Sequence, residues 1–343
     1  MNRQRVYIQA TTQISIQSPL NENWMQNPIQ YERPFIRSIE PNFRDFISPI
    51  EARRIGRLQK RALTTSLTVI HQSKVEHPDA IITGTGLGCI ENTELFLKDM
   101  CSQGEYLLKP TPFIQSTHNT ISSLIAIYTQ THNYNVTYSH RNISFECALY
   151  DAMLQFRLQK INSALVGSHD ELTPSWYELL KKVGYSGNPS AEASVSFMLT
   201  TERNNSWCEL GGIKILHQPS IEILKLSLGK LLTDNGLNLS DIDAVITGIN
   251  GNQATDLPTI QIYKQLFGQI PLLHYKHLFG DSYSASGLGL YSAACCLKYQ
   301  FVPSTLYYME TEDQIDNPQN IMFFGQSDYK DYSLILLKSS CGK

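Results

Sequence analysis

Segments rich in β-branched residues alternate with segments of helical periodicity along this chain, and this alternation constrains the fold more than any other feature. Residues 5–10, RVYIQA, have the pattern of a strand. Residues 49–73 begin with proline after Ser48 and place apolar side chains at helical spacing. Residues 79–88, DAIITGTGLG, have the pattern of a buried strand that runs into a glycine turn. The alternation predicts an α/β protein with a mainly parallel sheet.

The alternation of strand and helix patterns ends near residue 202 and then begins again, which predicts two halves. The first half covers residues 1–202 and contains an excursion, residues 11–47, that is rich in Asn, Gln and Pro. We expect this excursion to be irregular. The second half covers residues 203–343 and follows the same rhythm, although the sequence shows no repeat of fixed period.

Composition and charge argue against several classes of protein. The 343 residues are 42% hydrophobic and 17% charged, and the net charge is −3, so the chain lacks the basic stripe of a nucleic-acid-binding protein. No run is apolar enough for a membrane span, and the first residues lack the pattern of a signal peptide. The seven cysteines form no Cys-x-x-Cys pair, which argues against a zinc ribbon and a disulfide framework. We expect a cytoplasmic protein without metal or cofactor.

Residues 137–147, TYSHRNISFEC, lie between a strand pattern and a helix pattern, where many enzymes carry a nucleophile. Together with seven other segments in order, this region resembles the β-ketoacyl synthases, the thiolase-fold condensing enzymes of fatty acid and polyketide synthesis. The segments are RVYIQATTQIS, ITGTGLG, LLKPTPFIQSTHNTISSLIA, SALVGSHDE, INGNQATDLPTIQIYKQLFG, YKHLFGDSYSASGLG and MFFGQSDYKDYSLILL. The resemblance implies a thiolase-like fold, with two pseudo-duplicated βαβαβαββ halves that form a layered αβαβα core.

The chemistry of that family uses a Cys at the start of the central helix, two His residues and a Lys. Counting back from the LVG of the following strand, the nucleophile position falls on Asn142, or on Arg141 if the turn differs by one residue. The first His position falls on Asn250 and the second on Asp281, whereas the Lys matches Lys276. The resemblance therefore implies that the Cys-His-His set is replaced and that only the Lys remains.

Other residues near these positions have ordinary structural interpretations. Cys147 lies inside the predicted helix, beyond the first turn that stabilises an anion. Ser139 and Ser144 lie near the turn, but no motif places an activating His beside them. His274 and His277 flank the family Lys at a spacing that also suits a metal pair, but no third ligand follows from the sequence. We expect these residues to have structural roles.

Three further features allow both a functional and a structural interpretation. His169 and Asp170 end a predicted strand, where α/β folds often place site residues, and turn chemistry is the preferred interpretation. The GTGLG turn lacks the third glycine and acidic partner of a dinucleotide loop, so we expect a tight strand-to-helix turn. Phe324 and Gly325 match the family's gating loop at the acyl tunnel, but bulkier residues flank them where the family has glycine, which implies a less mobile loop.

The pattern is similar to that of the chain length factors, ketosynthase-like subunits that lack the Cys and pair with an active ketosynthase in aromatic polyketide or aryl polyene synthesis. The resemblance implies a heterodimer with an active ketosynthase, contact with an acyl carrier protein, and residues 113–126 near the dimer interface and the acyl tunnel. Two alternatives remain open: a divergent but active 3-oxoacyl-carrier-protein synthase or other acyltransferase, and a homodimeric acyl-binding scaffold.

Overall fold

The structure is a computed structural model and describes residues 4–106, 108–184, 189–250, 253–309, 314–327 and 330–340. Residues 251–252 of the INGNQATD segment, residues 328–329 of the closing segment and Cys341 lie outside the described residues. Within the described ranges, no helix combines the length and the apolar character that crossing a membrane requires.

Twelve strands and eleven α-helices make up the described parts of the chain. The strands are β1 (Tyr7–Ile14), β2 (Phe35–Ile36), β3 (Ala80–Gly84), β4 (Tyr134–Tyr138), β5 (Ser163–Asp170), β6 (Ser190–Ala191), β7 (Ala193–Thr200), β8 (Cys208–His217), β9 (Ala244–Thr247), β10 (Leu272–His274), β11 (Asn320–Ser327) and β12 (Asp331–Ser339). The helices are α1 (Pro49–Ala52), α2 (Arg57–Ser73), α3 (Ile90–Gln103), α4 (Pro110–Ser116), α5 (Thr120–Thr129), α6 (Ser144–Arg157), α7 (Pro174–Lys182), α8 (Ile221–Thr233), α9 (Gln253–Phe267), α10 (Lys276–Phe279) and α11 (Ala285–Tyr299).

Ten of the strands form one sheet in which the same topology occurs twice. The order is β10-β9-β11-β12-β8-β1-β7-β5-β3-β4. In each half, the second strand pairs in parallel with the third and the fourth, and the fifth strand runs antiparallel to both of its neighbours. The halves meet where β1 and β8 pair antiparallel. This duplicated topology confirms the predicted α/β, thiolase-like fold class. The prediction of a mainly parallel sheet was wrong: five of the nine strand pairs in the ten-stranded sheet are antiparallel, because each half returns through an antiparallel strand, β7 or β12, beside the strand that begins it. The division at residue 202 stays a prediction.

Three layers of helices and the two halves of the sheet alternate in the fold. Helices α6 and α11 lie between the two halves of the sheet, since α6 contacts β3, β5 and β8 while α11 contacts β11, β12, β1 and β7. Helices α2 and α5 pack on the outer face of the first half, and α8 and α9 pack on the outer face of the second. The residues 285–297 of α11 are all buried, which explains why that segment is apolar and small-sided all round rather than amphipathic.

Two elements differ from their predicted bounds. Strand β1 continues to Ile14, four residues into the segment predicted to be irregular, because β7 supplies partners along its length. The helix predicted over residues 49–73 is two helices, α1 and α2. Helix α2 begins after Gly56. The Gly56 backbone N–H donates a hydrogen bond to the Gln59 side chain, which caps the start of the helix.

The glycine turn after β3 connects strand to helix, as predicted, and binds a side chain of the protein itself. The carboxylate of Asp170 accepts hydrogen bonds from the backbone N–H groups of Gly86 and Leu87 and from the Thr85 and Ser284 hydroxyls, at 2.8–3.0 Å. Asp170 therefore fills the anion position that such a turn offers, and its role is to hold β3, β5 and the start of α11 together.

Candidate functional site

A polar cavity of about 180 Å³ lies where the first turns of the two central helices meet. All four residues at the predicted catalytic and lysine positions that are placed by the structure line it: Asn142, Asn250, Lys276 and Asp281. They come from the turn before α6, the end of β9, the start of α10 and the turn before α11, because the carboxyl ends of these strands meet at one edge of the sheet. The structure thus brings the predicted positions together.

The turn before α6 separates the two candidates for the nucleophile position. Asn142 lines the central cavity, whereas Arg141 is exposed and lines a second cavity of about 350 Å³ with Ser139, His140 and Lys330. Arg141 has a φ of +49°, a conformation that non-glycine residues rarely adopt. Strained backbone of this kind often marks functional turns. The geometry places the side chain of Asn142, not that of Arg141, at the central cavity.

Lys276 is held by the residue that stands at the second His position. Its Nζ lies 2.7 Å from Oδ1 of Asp281, and both side chains are largely buried. The turn between them passes through Gly280, whose φ of +77° and contact with Ala191 leave no room for a side chain. The ammonium group is therefore engaged in an ion pair inside the site.

Asn250 is fixed by its backbone. Its N–H donates to both carboxylate oxygens of Asp256, at 3.0 and 3.1 Å, which anchors the end of the β9 segment to α9. Its side-chain Oδ1 is buried and has no hydrogen-bond partner among the described residues. The backbone contact explains the position of Asn250, and the side chain remains available to the cavity.

Glu146 is a site residue that sequence reasoning missed. It lies in the first turn of α6, is almost fully buried, and accepts hydrogen bonds from Ser286 Oγ at 3.1 Å and Ser333 Oγ at 3.4 Å. Burial raises the pKa of its carboxyl to about 7, although the hydrogen bonds and the charge of Lys276 act in the opposite direction. The only signal in the sequence is a Glu among the apolar residues that α6 buries, such as Phe145 and Ala148.

Three carboxamide side chains of the cavity lining carry buried atoms without a hydrogen-bond partner among the described residues. Oδ1 of Asn142, Oδ1 of Asn250 and both amide atoms of Gln326 are buried without a partner in the described part of the chain. Buried polar groups are normally paired, because an unpaired one costs about 1–3 kcal/mol. The described part of the chain therefore leaves these buried atoms without a hydrogen bond.

The thiol and hydroxyl groups near the turn are not arranged as nucleophiles. Cys147 lies within α6, and burial raises the pKa of its thiol to about 11, which disfavours the thiolate. The Ser144 hydroxyl donates to the Arg141 carbonyl and accepts from the His140 N–H, so it stabilises the turn. Ser139 lines the second cavity, not the central one.

The three internal histidines do not line the central cavity. His274 and His277 stack with ring centroids 3.7 Å apart, and His277 Nε2 bonds to the Thr305 carbonyl. Burial lowers the pKa of His274 to about 3 and also lowers that of His277. His169 is fully buried in β5, where its pKa is lowered to about 3. Among the described residues, no three His, Cys, Asp or Glu side chains form a group that could hold a metal ion.

The expected gating loop is a strand. Phe324 and Gly325 lie within β11, opposite Leu334 and Ser333 of β12. Because side chains alternate along a strand, Phe324 points to the outer core against Phe267, whereas Gly325 lines the cavity. The prediction that both residues form a loop was therefore wrong for the described residues, which pair with β12 throughout.

Comparisons with known proteins give one sequence match and several structural matches. The family described as "Beta-ketoacyl synthase, N-terminal domain" matches residues 22–219. A search of curated proteins found no match.

Many solved structures match this chain, among them three that are similar over nearly its whole length. "The ishigamide ketosynthase/chain length factor" has a TM-score of 0.80 at 15% identity and covers 98% of this chain and 99% of its own. The ketosynthase ApeO in complex with its chain length factor ApeC, from Xenorhabdus doucetiae, has a TM-score of 0.79 at 16% identity and covers 98% of each chain. A type II polyketide synthase acyl-carrier protein in complex with its ketosynthase has a TM-score of 0.79 at 12% identity and covers 98% of this chain and 100% of its own. These matches confirm the thiolase-like fold.

Proposed function

Because the chain belongs to the β-ketoacyl synthase family, we propose that it is a ketosynthase-like subunit without an acylatable nucleophile, which acts by pairing with an active ketosynthase. Its role would be that of a chain length factor: it shapes the acyl tunnel and stabilises the catalytic partner. The pathway would be a fatty acid or polyketide type of synthesis, such as that of aryl polyenes.

One observation carries this proposal: the cavity at the meeting point of the central helices holds carboxamides and carboxylates where the chemistry needs a thiol and two imidazoles. The carboxamide of Asn142 is not a nucleophile, so it cannot attack a thioester to form an acyl-enzyme. Asp281 at the second His position is an acceptor and cannot stabilise the negative charge that develops on a thioester oxygen. The three substitutions agree with a single loss of acyl transfer.

The ion pair between Lys276 and Asp281 supports the same proposal. In a condensing enzyme, a Lys near the histidines supplies positive charge to an anionic transition state. Here the ammonium group lies 2.7 Å from a carboxylate of the same chain, so its charge is already balanced. The surviving Lys is thus explained as a structural partner of Asp281.

An open sheet edge supports the pairing with another subunit. Strand β4 ends the ten-stranded sheet, and within the described residues β3 is its only neighbour. Tyr134 and Asn135 of this strand are exposed. Two of the similar structures are described as a ketosynthase with a chain length factor, and a third as a ketosynthase with its acyl-carrier protein. We propose a ketosynthase as the partner at β4 and an acyl carrier protein as the source of the acyl chain.

The helices next to this edge carry apolar surface. On α5, Ile121 and Ile125 are buried in the chain's own core, whereas Ile127 is exposed. On α4, Phe113 and Ile114 are exposed as well. Within residues 113–126, the segment predicted to lie at an interface, Ile121 and Ile125 face the core, whereas Phe113 and Ile114 are exposed and the exposed Ile127 follows directly; this apolar surface supports the proposal of an interface here.

The test of the missing nucleophile is intact-mass spectrometry of the purified chain after incubation with acyl-carrier protein loaded with an acyl thioester. The Cys101→Ser variant serves as the background, because Cys101 is an exposed thiol that could react without specificity. We expect no adduct on this background and a stoichiometric adduct after Asn142→Cys is added, since a thiol before a helix N-terminus has a lowered pKa. Arg141→Cys is the matched control, because it places the thiol one residue earlier in the turn, at the second cavity instead of the central one.

A stoichiometric adduct on the chain that keeps Asn142 would overturn the proposal in favour of a divergent acyltransferase. The partner is tested by co-expression with the intact ketosynthase of the same organism and by sedimentation velocity. A one-to-one complex is expected. A homodimer that persists in the presence of the ketosynthase would instead favour the acyl-binding scaffold.

A further inference from the structure

A strap formed by residues 304–308 covers the free edge of strand β10. Leu273 of this strand forms an antiparallel bridge with Tyr307, and the Tyr308 N–H donates a hydrogen bond to the Leu272 carbonyl. The strap contains one turn of regular structure, a 3-10 turn. Because its backbone pairs with so few residues of β10, the side chains beside it contribute to its closure.

Two stacked histidines connect β10 and α10 to this strap. The Nε2 of His277 lies 2.8 Å from the Thr305 carbonyl, and the His277 ring stacks on the His274 ring with centroids 3.7 Å apart. The His274 ring makes a T-shaped contact with the ring of Tyr308, with centroids 5.5 Å apart. Each member of the pair therefore touches the strap, one at each end of its last four residues.

The surroundings of the pair favour neutral rings. Because a carbonyl only accepts, Nε2 of His277 carries the hydrogen and Nδ1 carries the lone pair. Nδ1 of His277 and Nδ1 of His274 are both buried and have no hydrogen-bond partner among the described residues. An imidazolium ion carries hydrogen on both nitrogens, so a charged ring at either position would leave a buried N–H without an acceptor.

No group among the described residues offsets a positive charge at the pair. The strand next to β10 presents the uncharged Thr247 opposite His274. The titratable groups on the other elements around the pair are those of Lys276, Asp281, Cys296, Tyr307 and Tyr308. The first two pair with each other at 2.7 Å, and a thiol or a phenol is uncharged below pH 7. Burial and the neighbouring ring lower the pKa of His274 to about 3, and burial also lowers the pKa of His277.

We propose that His274 and His277 form a pH-sensitive latch, which holds the strap over β10 while both rings are neutral and releases it when one ring takes up a proton. Opening brings a ring into water, where it binds a proton with ordinary affinity, so protons shift the equilibrium towards the open strap. The closed strap has its full stability above about pH 6.5 and loses stability as the pH falls towards 3. In acid, the chain therefore gains a second open strand edge besides β4. This inference does not depend on the proposed function.

Hydrogen exchange of the full-length chain tests the latch, because the Tyr308 amide is bonded to β10 only while the strap is closed. The opening constant of this amide is measured at pH 7 and at pH 5, after correction for the intrinsic exchange rate. We expect it to rise at least about tenfold in the wild type, since an ordinary His titrates near pH 6.5. In the double variant His274→Phe/His277→Gln it should change by less than about twofold, because neither new side chain takes up a proton. Phenylalanine keeps a ring against Tyr308, and glutamine keeps an N–H for the Thr305 carbonyl.

His71→Gln is the matched control, because His71 is an exposed histidine on α2, in the other half of the chain. It should show the same rise as the wild type. If circular dichroism shows that the double variant is not folded, His277→Gln and His274→Phe are measured singly, and each should show a smaller rise than the wild type.

Three results would overturn the proposal. The first is an opening constant in the wild type that is the same at both pH values, and the second is a full rise in the variants that lack one or both rings. The third is an equal rise for the amides of β5, because acid would then destabilise the whole chain and not the strap.

Discussion

The two edges of the sheet are equivalent strands with different surroundings. β4 is the third strand of the first half and β10 is the third strand of the second half. The chain covers β10 itself: Leu273 forms an antiparallel bridge with Tyr307, and the Tyr308 N–H donates to the Leu272 carbonyl. In the described structure, β4 has no such cover, although it is longer, with five residues against three.

This difference indicates which half meets a partner. An open edge with unpaired backbone groups is prone to pairing with another chain, and proteins usually cover, shorten or charge such edges. The chain closes the β10 edge by a segment of its own and leaves β4 uncharged, with the sequence YNVTY. The same topology thus produces one internal edge and one edge that is suited to a subunit interface.

The largest effect is expected from a proline in β4. The Tyr138 carbonyl accepts a hydrogen bond from the Thr85 N–H, so Tyr138 and every second residue before it direct their backbone groups towards β3. Asn135 lies at an alternate position, and its backbone N–H and C=O therefore point to the open edge. Asn135→Pro removes one outward N–H without breaking a bond to β3. We expect a folded chain whose association with the ketosynthase weakens by about a hundredfold or more in sedimentation velocity.

Asn135→Ala is the control for this change, because it keeps the backbone N–H and should associate like the wild type. Association of the proline variant at wild-type strength would show that β4 does not pair with the partner, and the contrast between the two edges would lose its functional meaning.

The central helices show a second contrast between the halves, with a smaller expected effect. α6 carries a carboxyl group, Glu146, in its first turn, whereas α11 carries a hydroxyl, Ser286. The folded-state pKa of Glu146 is raised from 4.5 to about 7, so the native state holds this proton more strongly than the unfolded chain. Its contribution to stability is present below pH 4.5 and is lost as the pH rises towards 7.

Glu146→Gln should therefore stabilise the protein at pH 8, by up to about 3 kcal/mol, and the gain should vanish near pH 4. Urea unfolding of both proteins across this range measures the difference. Glu171 has a pKa raised to about 7 as well, but its contribution cancels in the comparison because both proteins contain it. A gain that does not change with pH would contradict ionisation of Glu146 as its cause.

The sequence was sufficient for the α/β class because strand and helix periodicities follow from burial on one or both faces, whereas the thiolase-like fold was implied only by the family resemblance. The direction of the strands was not predictable from periodicity, since parallel and antiparallel pairing bury the same faces. The apolar runs of β3, β5, β7 and β9 identified the inner strands, and the small-residue pattern identified α11. The break in the helix at Gly56 was missed, since the apolar spacing of residues 49–73 continues across it. Only the cap formed by the Gln59 side chain marks the second start.

The candidate site was predictable only in part, for a related reason. Asn142, Asn250, Asp281 and Lys276 were found by position within family segments, and the structure brings them to one cavity. Glu146 could not be found in this way, because a Glu on an amphipathic helix is normally solvent-exposed and only the tertiary packing of α6 against α11 buries it. The pairing of β11 with β12, which places Phe324 in the core, is a long-range contact that no local pattern encodes.

The smallest effect is expected from a matched pair of surface substitutions, one in each half. Ile127 on α5 is 72% exposed and Leu226 on α8 is 73% exposed, so both are apolar residues with nearly the same contact with solvent. Of these two helices, it is α5 that packs beside the open edge, through its contacts with β3 and β4.

Ile127→Lys should weaken association with the ketosynthase by about tenfold, because it places a charge in a surface that becomes buried. Leu226→Lys should have no effect on association, and both variants should unfold at the wild-type urea concentration, since surface substitutions rarely change stability. Equal weakening by the two would place the interface on both halves and remove the asymmetry that the sheet edges suggest.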